Sequence, residues 1–361
     1  MKKIHKVKLL PVQAYVYLHR ASILQISIFS FFLCIPTFSF GETPNLKEIG
    51  DELSGFSDNY AGMAGFMASL GLTWSQLYIG QLVDMSPNWG LGLSFGGTTL
   101  KLDHIDVLSE GLTGSQINHD FLDKLVMPSY VLEARIGGFN WVPFDIGIKW
   151  GWLPTVPIMA DDFSVENINY GIDFRYALSR DWGYFPAISI GFEIDREEGK
   201  VSHSSIDSIV DSSGTTVITT DDATTFITYE AWVIDFKLGV AKTFFYPSIS
   251  IFAGLKAGAS FTKSGYIIQG NNISVSTGRL DEMNTEQQTA VASELENLQG
   301  SGKFSVDDNN ITCMIDTIGI NLNTYEGISF NFDNKTFLQF TLMFDFLHLE
   351  YGANISFRYQ N

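Results

Sequence analysis

The chain of 361 residues is long enough for one large domain or two ordinary ones. It is 45% hydrophobic, 14% aromatic and only 17% charged, so its outside is not all wet. The formal net charge of −18 argues against a nucleic-acid partner, whose phosphates need a cationic surface.

Residues 1–41 read as an export signal. Lys2, Lys3, Lys6, Lys8 and Arg20 form a basic start without an acidic residue, and Ile23 to Phe40 is mostly apolar. Ser39 and Gly41 are the small residues that a signal peptidase needs, which places cleavage after Gly41. Without that segment the chain has 17 basic and 40 acidic residues, a net of −23, and Cys313 is its one cysteine, so no internal disulfide forms.

The segment 42–68 is expected to be a plug or an extra strand. Leu46–Phe56 has the pattern of a short amphipathic helix, placed inside a barrel mouth, and 56–68 is the place for an added strand. From residue 69 on, the dominant signal is period-two alternation. In the stretch NINYGIDFRYALS (167–179), Ile168, Tyr170, Ile172, Phe174, Tyr176 and Leu178 alternate with residues that include Asp173 and Arg175. In FDIGIKWGW (144–152), large apolar residues alternate with Asp145 and Lys149. Glu193 holds the same place in 188–195, and Asp235 and Lys237 do so in WVIDFKLGVA (232–241). Eleven strands follow: 69–83, 89–102, 128–138, 143–153, 165–178, 186–196, 225–242, 247–268, 313–331, 336–346 and 348–359. The apolar phase flips between Phe346 and Leu349, which calls for a tight turn there.

Two faces this different suit a sheet with hydrocarbon on one side and water on the other. A basic side chain at mid-depth on the lipid face costs roughly 2–4 kcal/mol. Asp145, Lys149, Asp173, Arg175, Glu193, Asp235 and Lys237 are therefore expected to line a hydrated lumen and to pair across strands. Short turns alternate with long polar loops. Trp89, Trp141, Trp182, Tyr184 and Phe245 cluster at the short turns, as interface aromatics do.

These features together resemble the bacterial outer-membrane β-barrel superfamily. The resemblance implies an all-β, antiparallel up-and-down transmembrane β-barrel over 69–361, with short periplasmic turns and long extracellular loops. Such barrels have even strand counts, so twelve strands are expected, the twelfth near 56–68, with ten and fourteen open. It implies a Gram-negative-type outer membrane as the location, with outer-membrane lipid and the barrel-assembly machinery as partners. Phe357 and Tyr359 would act as the β-signal, although Gln360 and Asn361 follow them.

The sequence points to a channel or passive transporter for small solutes. The stretch AGMAGFMASLG (61–71) resembles the N-terminal hatch of the long-chain fatty-acid transporter family, without that family's Asn-Pro-Ala stretch. A transporter of fatty-acid-like compounds is the alternative, and a surface-exposed structural or adhesive barrel is a third. His203–Ser205 matches the His-x-Ser pair of the outer-membrane phospholipase family, but in a Ser-rich loop such a triplet arises by chance. No catalytic residue, metal site or cofactor is expected. The acidic pairs Asp161–Asp162, Asp221–Asp222 and Asp307–Asp308 read as solvated loop tips, and Asp281–Leu298 as a surface helix.

Overall fold

The computed structural model describes residues 59–77, 79, 88–100, 125–139, 142–157, 163–182, 184–204, 208–210, 216–219, 224–244, 249–269, 274–275, 278–279, 285–286, 289, 303–306, 310–333 and 335–361. Alternation drives ten strands into one ring: β1 (Asn88–Leu100), β2 (Leu125–Phe139), β3 (Val142–Pro157), β4 (Phe163–Ser179), β5 (Ala187–Ser204), β6 (Thr224–Phe244), β7 (Ile249–Gln269), β8 (Asn310–Asn331), β9 (Thr336–Asp345) and β10 (Tyr351–Gln360). Each pairs antiparallel with the next, and β10 returns to β1 from Gly90↔Gln360 to Thr98↔Gly352. Closure pairs both sides of every strand around the ring, although β9 reaches only the Asn323–Asn331 part of β8. Lys303–Val306 lies against the start of β8 outside the ring, and a small separate sheet joins Ser208–Val210, Thr216–Thr219, Ser274–Val275 and Gly278–Arg279.

The barrel has ten strands, not twelve. No strand lies over 69–77, and none over 59–68. Residues 59–67 form helix α1, and 68–77 are turn and irregular backbone. The physical reason is where the backbone hydrogen bonds go. Leu70, Leu72 and Trp74 alternate with Gly71, Thr73 and Ser75, as in a strand. This peptide, however, lies inside the ring and bonds to wall side chains instead of a neighbouring strand. Apolar and polar residues alike are therefore buried, from Tyr60 to Leu77. Gly71 and Leu72 both take left-handed backbone (φ 84° and 53°), which turns the chain out of the helix. The signal segment 1–41 and the helix expected at 46–56 lie outside the described residues.

The outer wall carries the large apolar residues. On β4, Ile168, Tyr170, Ile172, Phe174, Tyr176 and Leu178 all face outward and are exposed. That run spans about 33 Å of strand, or about 25 Å along the axis at a tilt near 40°, the height of a bilayer's apolar band. Ionic groups lie near both of its ends, level with Ile168 and Tyr170 at one and beyond Leu178 at the other. Arg196 pairs with Glu198 at 2.6 Å and Glu230 at 2.8 Å, above Tyr170 and Trp232. Lys242 pairs with Asp181 at the short-turn rim. One carboxylate breaks the pattern: Glu326, exposed on β8, lies within the belt between Ala253 and Leu342. No helix among the described residues is long and apolar enough to cross a membrane.

At the rim of the C-terminus the connections are short, at 140–141, 180–186, 245–248 and 332–335. At the opposite rim three are long, at 101–124, 205–223 and 270–309, while 158–162 and the turn at 346–350 are short. Leu349, with φ 59°, makes that last turn tight.

Candidate functional site: a plugged ionic lumen

The inward positions of β2 to β7 carry a continuous ionic web. Asp145 on β3 is a hub: it accepts from Arg135, and from Arg175 Nε at 3.0 Å and NH2 at 2.8 Å. Asp173 on β4 accepts from Arg135 and, at 2.7 Å, from Lys237. Glu193 on β5 meets Lys149 at 2.9 Å, Lys237 at 2.7 Å and Lys256 at 2.9 Å. Asp195 meets Lys149 at 2.8 Å. The register explains this. Asp145 lies opposite Arg175, and Glu193 lies opposite both Asp173 and Asp235, so every contact crosses one or two strands on the same face.

All seven lumen positions expected from sequence thus lie on the inner face and are buried. Arg135, Asp195 and Lys256 complete the web and were not among them. Each sits at the same parity on its strand, so alternation alone could have found them. The expected water-filled lumen is not what these side chains meet. At this level the lumen is occupied by residues 59–77 and 79.

The wall grips the plug through its main chain. α1 ends near Ala68 and Ser69, whose carbonyls lack helical partners. Lys149 donates to the first and Lys256 to the second at 3.3 Å, cations at the negative end of a helix. Arg135 then donates to the Leu72 carbonyl at 3.3 Å. Gln339 and Arg358 donate to Thr73 at 2.6 and 3.2 Å, and Arg175 to Gln76 at 2.8 Å. In return, Ser75 N–H donates to Gln339 Oε1 at 2.9 Å and Ile79 N–H to Asp145 Oδ2 at 2.7 Å. Plug side chains are held too: Asn323 Nδ2 donates to Ser69 Oγ at 3.4 Å, and Trp74 is clasped by the wall. Its ring lies 5.6 Å from the Arg135 guanidinium and 4.9 Å from that of Arg358, and its indole N–H donates to Glu133.

Small wall residues make the space. A Cβ on Gly90 would press on the Trp74 ring, and one on Gly319 would collide with the Ala61 carbonyl. The upper end of α1 is fastened by Ser260, whose hydroxyl donates to that same carbonyl.

The aromatic positions fall at the short-turn rim or beside it. The Trp89 and Tyr359 rings lie tilted to one another with centroids 5.8 Å apart, and Trp182 and Tyr184 are exposed. Phe357 and Tyr359 face outward on the closing strand β10. Trp141 and Phe245 lie outside the described residues, as do Ser205 and the three acidic pairs; His203 is in β5. In the turn after β8, Asp333 accepts from the backbone N–H groups of Lys335 and Thr336, at 3.1 and 2.5 Å. The Thr336 and Lys335 amide bonds hold its carboxyl below the ordinary aspartate range.

No protein-family model and no curated protein matches the chain. Solved structures similar to it are barrels. The translocator domain of the autotransporter NalP from Neisseria meningitidis has a TM-score of 0.35 at 9% identity, over 76% of this chain and 88% of that one. The outer membrane protease OmpT from Escherichia coli scores 0.34 at 9%, over 76% and 96%. The toluene transporter TodX of Pseudomonas putida scores 0.30 at 9%, over 89% and 98%. Scores this low carry no information on activity.

Proposed function

We propose that this chain is a bacterial outer-membrane β-barrel that passes small solutes passively and is held shut by its own N-terminal segment. The supporting observation is the manner of closure. A barrel of this size can be filled by its own wall side chains. Here the wall instead carries charges and small residues, and the space is taken by a separate peptide gripped at Ala68, Ser69, Leu72, Thr73 and Gln76. With that peptide withdrawn, the same cations and carboxylates line a hydratable passage. An ionic lining favours polar cargo over fatty-acid-like compounds. On this proposal residues 1–41 are the cleaved export signal, the short-turn rim is periplasmic, and Phe357 and Tyr359 are read by the assembly machinery.

The test is conductance in planar bilayers. Full-length protein is expected to be nearly silent, and Gly319→Val, which drives α1 off the wall, to show discrete steps. A Ser69→Cys/Asn323→Cys pair, made in a Cys313→Ser background, is expected to silence the channel when oxidised; Ser69 Oγ and Asn323 Nδ2 lie 3.4 Å apart. A folded Gly319→Val protein that stays silent at every voltage would sink the proposal. It would leave the surface-barrel alternative, which the 21- and 22-residue strands β6 to β8 favour, since a spanning strand needs only about 9–11 residues.

A further inference from the structure

The upper edge of the lumen web differs from the rest of it. On the inner face, Asn169 lies directly opposite Glu197, and Asp195 is two residues along the same strand. Asn167 Nδ2 donates to Glu197 Oε1 at 2.9 Å. Beyond that bond the oxygens are left over. Among the described residues, Glu197 Oε2, Asp195 Oδ2, the Asn167 and Asn169 Oδ1 atoms and the Tyr229 hydroxyl make no hydrogen bond. Asp195, Glu197, Asn169 and Tyr229 are each no more than 3% exposed. Leaving a buried acceptor unsatisfied costs about 1–3 kcal/mol, and more for a charged one.

Charge points the same way. The web joins Arg135, Lys149, Arg175, Lys237 and Lys256 to four carboxylates by direct ion pairs. Glu197 and Asp235 lie at its edge with amide partners only, from Asn167 and Asn321. The surplus is thus one negative charge. It falls on these two carboxyl groups, each of which keeps one oxygen without a hydrogen bond; at Glu197 the neighbouring oxygens of Asn167, Asn169, Asp195 and Tyr229 go unsatisfied beside it.

What lies over this patch is the first turn of α1. The Tyr60 ring is 4.5 Å from the Tyr229 ring, and the Tyr60 hydroxyl lies within electrostatic reach of Glu197. Among the described residues no three His, Cys, Asp or Glu side chains are placed to hold a metal ion. Two carboxylates and two amide oxygens around one spot ask instead for a cation that brings several N–H donors of its own.

We propose that Asp195, Glu197, Asn167 and Asn169 form a binding site for the primary ammonium group of a small organic amine, covered by Tyr60 while the plug is seated. The proposal rests on the plugged-transporter reading only in taking the covered state as the closed one. A solute with such a group competes with the head of the plug for the wall, which couples arrival of cargo to opening.

The test uses the full chain folded in detergent, with 1,4-diaminobutane as the probe and 1,4-butanediol as its uncharged counterpart, read by titration calorimetry. Tyr60→Ala uncovers the patch and is expected to bind the diamine about tenfold more tightly than the unaltered chain, a difference of about 1.4 kcal/mol. Adding Glu197→Gln is expected to abolish that gain, and the diol is expected not to bind. Equal binding of diol and diamine, or no diamine binding by folded Tyr60→Ala, would overturn the site. A second readout avoids that variant: diamine block of the Gly319→Val conductance, lost on Glu197→Gln. Steps without amine block would count against the site alone. A silent Gly319→Val with amine binding by Tyr60→Ala would count against transport alone.

Discussion

The lower and upper parts of the lumen are built from the same strands and satisfied to different degrees. Around Asp145 the carboxylate itself is fully engaged: two guanidinium groups and the Ile79 amide converge on it. Around Glu197, carboxylate and amide oxygens outnumber donors. The plug accounts for much of the difference. Its carbonyls absorb the surplus donors of Arg135, Arg175 and Arg358 below, whereas above, its helix offers the wall an aromatic ring. A peptide whose main-chain acceptors fill a cationic seat does nothing for an anionic one. One part of the barrel is thus made for holding the plug, and the other is left short of donors.

The sharpest way to break this contrast is at the hub. Asp145→Ala strands two buried guanidinium groups and is expected to lower unfolding stability by about 3–5 kcal/mol, measured by guanidinium titration in detergent. Gly319→Val is expected to cost about 1–3 kcal/mol through overpacking against α1, and to raise the labelling rate of a cysteine placed at Ala61. Glu197→Gln removes a charge that has no cation in contact. It is expected to change stability by less than about 1 kcal/mol or to raise it slightly, the reverse of Asp145→Ala; a loss as large as that of Asp145→Ala would erase the distinction drawn here.

The smallest effect belongs to the exposed turn. The Asp333 carboxyl is held below its ordinary range, so its contribution is complete above the unfolded aspartate range and is lost as pH falls through the lowered folded value. Asp333→Asn is therefore expected to lower the unfolding midpoint slightly at neutral pH, with the gap to the unaltered chain closing at the acid end of a pH series.

Alternation made the ring legible in the sequence because only two environments exist for a barrel strand, and Asp173 beside Phe174 distinguishes them at a glance. It failed at 69–77 because Leu70, Leu72 and Trp74 belong to an extended peptide enclosed by the wall. Period two reports an extended backbone, and what that backbone bonds to is a tertiary fact. Alternation was also blind to pairing. Nothing local to Lys149 tells that it reaches both Glu193 and the Ala68 carbonyl, since that depends on the register of three strands and the course of the plug. Glu326 shows the opposite limit: an acidic residue whose parity places it among outward-facing apolar neighbours, with no described counter-charge to explain it.

Most of the bonds that seat the plug end on peptide carbonyls, a group every amino acid supplies alike. Those bonds are therefore blind to which side chains stand along 68–76, and it is the close packing of buried Leu70, Leu72 and Trp74 that makes the seat selective for this peptide. The wall's arginines and lysines supply the direction of the grip, and the plug's shape supplies its fit.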